Sequence, residues 1–584
     1  MNINPIIVKS YLESLKEDSQ LDVIFTLLLQ ILDFEILSTP KEYKGFSQYG
    51  KDIVAVNVDP IDNIKKRFYF EIKAGDIDNN NWFREGNGVR DTLKMTADKD
   101  FTTNYDGFDK LPIKVILVFN GMVNEKIRNI LNDLSQKEFI GKGIEFEEWN
   151  ISILTKKFSD HLFGAYLLTD QNTTKTFNKV LINLNASNHI SEDVVKLLND
   201  LFSKNEWHNN KGKLTREWTL LFETLKLISF IIYTEAKEYN NLDIAKRYLT
   251  HLLIKYWHWI LKNRLEENSK ITSYFNEVLK FYLSVLTEYF QRTLGLAKYK
   301  NGLSSENSGR YEQIGYTKRT FEYLEFLTFL LNVDLPNPNA NHEEMRTILT
   351  SVINANNVSL RPLVDINSIP IINILNFYLI LDDKTSAINY LRGVLSYIVN
   401  GKEKYGRLPD ANNSYENVLR FTITGEYPVY YSDSTSPLLA VLLEYIAILD
   451  LEDDYNGIRK FIIDNDIDLG IFTPHHGVGS TSTHLIENTE DDLEEQLFCN
   501  PQFNDGYQRD IKLFINLTED MDFENFKLEY EKRIDEFKYE YRSDKAGYSF
   551  LRNLAHIYFQ IPYFPDKWRM DILKHNITSP PASP

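Results

Sequence analysis

The chain has 584 residues, of which 43% are hydrophobic, and a net charge of −18. This length exceeds what one hydrophobic core serves, so we expect two to four packed domains. The single cysteine, Cys499, excludes a disulfide framework and a cysteine-based zinc module. The acidity argues against constant, nonspecific nucleic-acid binding and leaves only local basic patches, such as Lys65-Lys66-Arg67, for that purpose.

The first 165 residues alternate strand and helix patterns, which predicts an α/β domain with a central mixed sheet. The expected elements are a helix over Leu21–Leu32, a strand over Phe34–Leu37, two strands that carry Asp52 and Glu71, a helix over Val89–Phe101, a strand from Ile113, a helix over Val123–Leu134, a strand from Ile144 and a helix over Ile151–Phe163.

The two strands that carry Asp52 and Glu71 are the most informative part of the chain. The second reads Arg-Phe-Tyr-Phe-Glu-Ile-Lys and ends at Lys73. Because side chains alternate along a strand, Glu71 and Lys73 share one face, and the apolar Phe70 and Ile72 point to the other. If the strands pair, Asp52 lies beside Glu71. Two carboxylates beside an ammonium suit a hard divalent cation, so the pattern predicts a Mg²⁺ site, with Mn²⁺ as the alternative ion.

Glu-x-Lys alone is a common pattern, and the chain repeats it at Glu42, Glu235 and Glu536. Only Glu71 follows an aspartate, Asp52, by 19 residues on an apolar, strand-like background. The structural alternative remains open at this point: Asp52 caps a turn, and Glu71 and Lys73 form an ion pair on an exposed sheet face.

The order of elements, with Gly-x-Asp before one strand and Glu-x-Lys at the end of the next, resembles the PD-(D/E)xK nuclease superfamily. Within this restriction-endonuclease-like group, the resemblance is to the Mrr-type domains of bacterial restriction and anti-phage proteins, and it covers about residues 21–163. It implies that Asp52, Glu71 and the carbonyl of Ile72 bind the metal, and that Lys73 orients and helps to deprotonate the attacking water.

The resemblance implies one further metal residue. Family members often carry another acid on the first helix, and the corresponding position is Asp22, twelve residues before Phe34; a capping or solvent-facing role is the alternative. Family members also often carry a polar residue on the helix after Glu-x-Lys, where this chain has Arg84, Arg90 and Lys94 instead. These three are the candidates for contact with nucleic-acid phosphates, and the alternative that we favour is that they face water. Trp82 could stack on a base or pack in the core.

The rest of the chain is dominated by long helical patterns. We expect a helical regulatory or scaffold domain over 166–460, repeat-like but without a fixed period, then a mostly helical sensor or interaction region over 461–577 and a disordered tail over 578–584. His475, His476 and His484 flank a Gly-rich stretch that is either a metal or phosphate loop or, as we favour, a surface loop.

The sequence therefore predicts an α+β multidomain protein: a restriction-endonuclease-like domain followed by a large, mostly α-helical region. The expected function is Mg²⁺-dependent endonucleolytic cleavage of DNA, which the resemblance places in bacterial defence under control of the helical region. Expected partners are DNA and either a second copy or a partner protein. We expect a cytoplasmic location and no membrane partner, because no signal peptide or uninterrupted apolar run of about 18 residues is visible. The alternative is a non-catalytic adaptor whose helical region binds a protein.

Overall fold

The computed structural model describes residues 5–39, 51–84, 88–98, 100–163, 190–203, 216–305, 312–410, 414–426, 428, 434–472, 512–514, 517, 520–534 and 542–560. The chain divides into two compact units, Met1–Ala245 and Lys246–Pro584. The loop with His475, His476 and His484, together with Cys499 and the tail 578–584, lies outside the described residues. So does the segment 164–189, which contains the predicted boundary at 165/166.

The first unit contains a five-stranded mixed sheet in the order β1-β2-β3-β4-β5. The pairs β1–β2 and β2–β3 are antiparallel, whereas β3–β4 and β4–β5 are parallel. The parallel pairs follow from the helical segments that connect their strands. The strands are β1 Glu35–Ser38, β2 Ile53–Val58, β3 Lys65–Lys73, β4 Ile113–Phe119 and β5 Glu145–Trp149. The prediction of a mixed sheet in an α/β arrangement is confirmed.

The first unit also contains eight described helices, of which α2, α4 and α6 contact strands of the sheet. The eight are α1 Pro5–Ser14, α2 Asp22–Ile31, α3 Asn79–Phe83, α4 Val89–Asp98, α5 Glu125–Glu138, α6 Ile151–Lys157, α7 Glu192–Phe202 and α8 Arg216–Glu238. A π-helix, Glu17–Leu21, precedes α2, and another, Phe158–Phe163, follows α6. Helix α8 packs on α1, where the rings of Tyr11 and Phe230 lie 5.6 Å apart. Helix α8 therefore belongs to the same compact unit as the sheet.

The alternation of side chains along β3 separates two apolar layers. On one face, Phe70 meets Phe25 of α2 at 5.4 Å and Trp149 of β5 at 5.9 Å between ring centroids. On the other face, Tyr69 joins a buried cluster that includes Trp82 and residues of α4 and α5. Strand β3 is thus buried on both faces and held between two neighbouring strands, which fixes the position of its carboxyl end.

The second unit is mostly helical, as predicted. Its helices are α9 Leu242–Lys262, within which the division falls, α10 Ser269–Ala297, α11 Glu312–Asp334, α12 His342–Ala355, α13 Ser368–Ile380, α14 Lys384–Tyr405, α15 Tyr415–Thr424, α16 Pro437–Ile448, α17 Glu452–Asp464, α18 Phe523–Ile534, α19 Arg542–Lys545 and α20 Ser549–Phe559. Two short strands, β6 Gly470–Phe472 and β7 Lys512–Phe514, pair antiparallel. Of all the helices described, none combines the length and the apolar character that crossing a membrane requires.

Candidate functional site at the carboxyl end of β3

The register of the β2–β3 hairpin places Asp52 opposite Glu71. Ile53 pairs with Phe70 and Val54 with Tyr69, so the next position outward aligns Asp52, just before β2, with Glu71. Directly opposed residues of an antiparallel pair project to the same face. The hairpin thus brings the two predicted carboxylates side by side.

Asp52 is tied to the backbone of β3. Its N–H donates to the carbonyl of Phe70 at 2.9 Å, and its Oδ2 accepts from the N–H of Ile72 at 2.7 Å. Since the N–H and C=O of one strand residue point to the same edge, the carbonyl of Ile72 also faces the Asp52 side of β3. Burial raises the pKa of Asp52 to about 6, although Lys73 and the hydrogen bond from Ile72 act to lower it.

Glu71 is 1% exposed and has one carboxylate oxygen in an ion pair and one without a partner. Its Oε1 lies 2.9 Å from Lys73 Nζ, while Oε2 has no hydrogen-bond partner among the described residues. The hydroxyl of the neighbouring Thr92 acts to lower the pKa of Glu71 and also lies 3.3 and 3.1 Å from the backbone carbonyls of Gly88 and Val89. Burial, and then the charge of Asp52, nevertheless raise the pKa of Glu71 to about 8. The ionised form of Glu71 is therefore poorly compensated in the folded protein.

Lys73 connects Glu71 to a third acid. Its Nζ lies 2.9 Å from Glu71 Oε1 and 3.2 Å from Glu17 Oε1. Burial acts to lower the pKa of Lys73, but the charges of Glu71, Asp52 and Glu17 raise it above its usual value. Lys73 is accordingly an ammonium, which can orient a water molecule and balance negative charge.

Glu17 is the residue that the sequence analysis missed. It begins the π-helix before α2, and its Oε2 also accepts from the N–H of Ala74 at 3.3 Å. Asp22, the predicted first-helix acid, starts α2, and its Oδ1 accepts from the N–H of Val23. The charges of both acids raise the pKa of Asp52, after burial, so both lie in its surroundings. Only Glu17 is bonded to Lys73.

Asn120, directly after β4, fixes the chain where it leaves β3. Its Oδ1 accepts from the N–H of Gly75 at 2.6 Å, and its Nδ2 donates to the carbonyls of Leu12 and Leu15 at 2.6 and 3.0 Å. Side chains of three different elements thus cap the N–H groups of Ile72, Ala74 and Gly75. These contacts hold α1, the π-helix and the end of β3 in one arrangement.

A second acidic group lies at the opposite end of β3. Among the described residues, three carboxylates approach within 4.8 Å of one another only at Asp59, Asp62 and Glu145. The ammonium of Lys66 lies at their centre, 3.0, 2.5 and 2.6 Å from the three acids. Because the ammonium of Lys66 forms an ion pair with each of the three acids and fills the position a cation would take, we interpret the group as an ion-pair network.

Of the three residues predicted to contact nucleic acid, Arg90 and Lys94 lie on α4, whereas Arg84 follows α3. Arg84 is exposed at the C-cap of α3, and the guanidinium of Arg90 lies 5.9 Å from the centre of the exposed Phe83 ring. Lys94 follows Arg90 by one turn on the same face of α4.

The burial of other candidates excludes roles that the sequence left open. Trp82 is 1% exposed within the apolar cluster, so it packs in the core and is not available for base stacking. The suggestion that Lys65-Lys66-Arg67 forms a basic surface patch is also wrong, because two of its three side chains are buried. Lys66 lies in the ion-pair network, and Arg67 lies over the ring of Phe108.

Comparisons of the chain with known proteins identify no relative. No protein-family model, no curated protein and no solved structure matches it.

Proposed function

We propose that the first unit is a metal-dependent nuclease with a restriction-endonuclease-like fold that hydrolyses DNA phosphodiester bonds. Three features support the proposal: an antiparallel β1–β2–β3 meander, a helix between β3 and the parallel strand β4, and Asp52, Glu71 and Lys73 together at the carboxyl end of β3. These are the features that the resemblance to the PD-(D/E)xK superfamily implies. The pairing of β2 with β3 brings Asp52 and Glu71 together.

The observation that carries the proposal is the uncompensated charge around Glu71. Its unpartnered, buried Oε2 and its raised pKa show a carboxyl that folding leaves unsatisfied. Buried polar groups are normally paired, and exceptions occur where a ligand or ion completes the site. An oxygen-rich group of side chains of this kind fits a hard divalent cation.

Mg²⁺ or Mn²⁺ would be held by Asp52, Glu71 and the carbonyl of Ile72. When bound, the ion supplies charge neutralisation at the phosphate and lowers the pKa of a bound water. Lys73 orients the water and the phosphate through its ammonium, and Asp52, anchored on the N–H of Ile72, keeps one oxygen for the ion. Glu17 positions Lys73 from the side opposite Glu71.

The substrate and setting follow the same reasoning. The exposed Arg84, with Arg90 and Lys94 on α4, would contact the phosphates of the DNA. The role in defence against foreign DNA, and control of cleavage by the helical second unit with a second copy or a partner protein, rest on the resemblance and on the presence of that unit.

Two measurements on the full chain test the proposal. Mn²⁺ binding, followed by electron paramagnetic resonance, should be lost in Asp52→Asn and Glu71→Gln. Cleavage of plasmid DNA with Mg²⁺ or Mn²⁺ should fall by about a hundredfold or more in Glu71→Gln and in Lys73→Ala, because each change removes charge that is used in the transition state.

The chain supplies a matched control in Glu235 and Lys237, which have the same spacing on helix α8. Glu235→Gln and Lys237→Ala should leave both measurements unchanged. Absence of Mn²⁺ binding in the wild type would overturn the nuclease proposal and leave the adaptor. Metal binding that survives Asp52→Asn and Glu71→Gln together would overturn the site.

A further inference from the structure

The second unit contains a cavity of about 510 Å³ next to the last two turns of α14. Its walls are the carboxyl end of α14, the chain that follows it, the segment Arg361–Leu363 and one side of α15. Helix α14 ends at Gly406, whose φ of 66° is the left-handed conformation of a glycine cap. The cap turns Arg407 back onto α14, where its N–H donates to the carbonyl of Gly401 at 3.2 Å.

The described residues that line the cavity include three cations and no acid. Arg361, Lys404 and Arg407 lie in its wall, whereas none of these lining residues is Asp or Glu. Among the residues that the structure describes, none of the three has a carboxylate within ion-pair distance. Burial, followed by the charge of Arg407, lowers the pKa of Arg361, so the two guanidinium groups repel each other. In a chain with a net charge of −18, such a concentration of unpaired positive charge has a cost in stability that a bound anion would remove.

Arg361 is held in place before any ligand arrives. Its Nη2 donates to the carbonyl of Gln313 at 2.6 Å and to Oγ1 of Thr317 at 2.7 Å, whereas its Nε is buried without a partner in the described structure. A guanidinium fixed in this way loses little freedom when it binds an anion, which is the arrangement typical of phosphate sites.

Aromatic and amide groups lie beside these cations. Tyr397, Asn400 and Lys404 form one stripe along α14, at the spacing of neighbours on a helix face. Tyr397 and Tyr405 are 38% and 65% exposed, which is unusual for large aromatic side chains. The guanidinium of Arg407 lies 5.8 Å from the centre of the Tyr405 ring. The same cavity thus offers flat aromatic faces and anion donors.

We propose that this cavity binds a nucleoside phosphate. The phosphate lies between Arg361, Lys404 and Arg407, and the base packs on Tyr397 or Tyr405 with Asn400 available for its edge. The volume is within the range of about 300–1,000 Å³ that small-ligand sites occupy. The site is independent of the proposed nuclease centre, since its evidence lies entirely in the second unit and its test requires no cleavage.

Isothermal titration calorimetry on the full chain tests the proposal with ATP, GTP, CTP, UTP, the four 5′-monophosphates and inorganic phosphate as probes. At least one nucleotide should bind with a Kd below about 1 mM, and inorganic phosphate should bind at least about tenfold more weakly because it lacks the stacking contribution. Arg407→Gln should weaken the bound nucleotide about tenfold or more, since it removes a charge-assisted contact. Tyr405→Ala and Tyr397→Ala should weaken it without changing the affinity for inorganic phosphate.

Arg420→Gln is the matched control, because Arg420 is exposed on α15 and does not line the cavity. It should leave binding unchanged. Among the residues that the structure describes, the side chain of Arg407 has a single hydrogen bond, at 3.3 Å to Thr422, so its removal should preserve the fold, which the melting temperature checks. The proposal is overturned if no nucleotide binds, if nucleotide and inorganic phosphate bind equally, or if Arg407→Gln binds as the wild type does.

Discussion

The two ends of β3 both place a lysine among carboxylates, but only at the amino end does each of these carboxylates have an ion-pair partner among the described residues. There, Lys66 of β3 and Lys114 of β4 share Asp59, with Asp59 Oδ2 3.0 and 2.9 Å from the two ammonium groups. At the carboxyl end, Lys73 lies among Glu71, Asp52 and Glu17, and the charge of Lys51 also acts on Glu71. The first arrangement is a structural ion-pair network, whereas the second leaves a carboxylate oxygen unpaired.

The pKa values of the acids show the same contrast. Burial would raise the pKa of Asp59, but hydrogen bonds from Ile61, Lys114 and Lys66 lower it to about 2. Burial raises the pKa of Glu71 to about 8. The tightest cluster of acids in the described structure is therefore the poorer candidate for a metal, because what distinguishes a metal site is unsatisfied charge and not the number of carboxylates.

Asp59→Asn should break the ion-pair network at the amino end of β3 and have the largest effect on stability. Removal of the shared acid leaves two buried lysines short of a partner, which should lower the free energy of unfolding by about 3–5 kcal/mol. A folded pKa depressed to about 2 means that this stabilisation is present above the unfolded value near 3.8 and is lost as pH falls towards 2. Urea denaturation at pH 7 and pH 2.5 measures both. Asp62→Asn, a partly exposed partner of Lys66, is the control and should cost less; equal losses would contradict the assignment.

Glu71→Gln should change stability in the opposite direction. A raised folded pKa gives a contribution that is full below the unfolded value near 4.5 and is lost as pH rises through about 8. In EDTA at pH 8.5 the glutamine variant should therefore unfold with about 1–3 kcal/mol more free energy than the wild type. The gain should vanish at pH 4.5. Glu145→Gln in the ion-pair network at the amino end should instead destabilise the protein slightly. A Glu71→Gln variant less stable than the wild type would contradict the comparison.

Metal binding should be accompanied by the release of protons only if the ion binds at the carboxyl end of β3. Because the pKa values of Asp52 and Glu71 are raised to about 6 and about 8, the acids must release protons to hold Mg²⁺. The affinity should rise by up to about tenfold per pH unit between pH 6 and 8. Calorimetry in buffers of different ionisation enthalpy counts the released protons, and an affinity independent of pH would place the ion elsewhere.

Glu17→Gln should produce the smallest effect. The side chain is 41% exposed, so loss of its contact with Lys73 should lower the free energy of unfolding by about 0.2–1 kcal/mol. The pKa of Lys73 should fall, since one of the three acids that raise it is removed. Both changes can be followed together by denaturation and by NMR of the lysine side chain. A pKa of Lys73 that does not move would show that Glu17 is not part of the site.

The sequence was sufficient for features that depend on local periodicity. The alternation in β3 predicted that Glu71 and Lys73 share a face, and the short hairpin predicted that Asp52 lies opposite Glu71; the register and the ion pair bear out these relations. The mixed sheet and the helical second unit were predictable for the same reason. The ends of helices were not predictable from local periodicity. The predicted helix at Leu21 is preceded by a π-helix, which the spacing of the apolar residues does not reveal.

The contacts that depend on distant segments were beyond the sequence. Glu17 reaches Lys73 across 56 residues, from a π-helix that precedes the predicted first helix. The network around Lys66 draws on three strands and a turn, so three adjacent cationic residues were misinterpreted as one surface. In both cases tertiary packing determines which carboxylates the lysine meets, and no local sequence pattern encodes that packing.

The capped N–H groups at the end of β3 have a practical consequence. The amides of Ile72 and Ala74 donate to carboxylates of the candidate centre, and that of Gly75 donates to Asn120 beside them. An ion that draws electron density from Asp52 would weaken the hydrogen bond that its carboxylate accepts from the N–H of Ile72, and the amides of Ala74 and Gly75 lie next along the chain. The amide resonance of Ile72, with its two neighbours for comparison, would thus report whether the candidate site is occupied, so that a spectroscopist could titrate the site with Mg²⁺ without using a substrate.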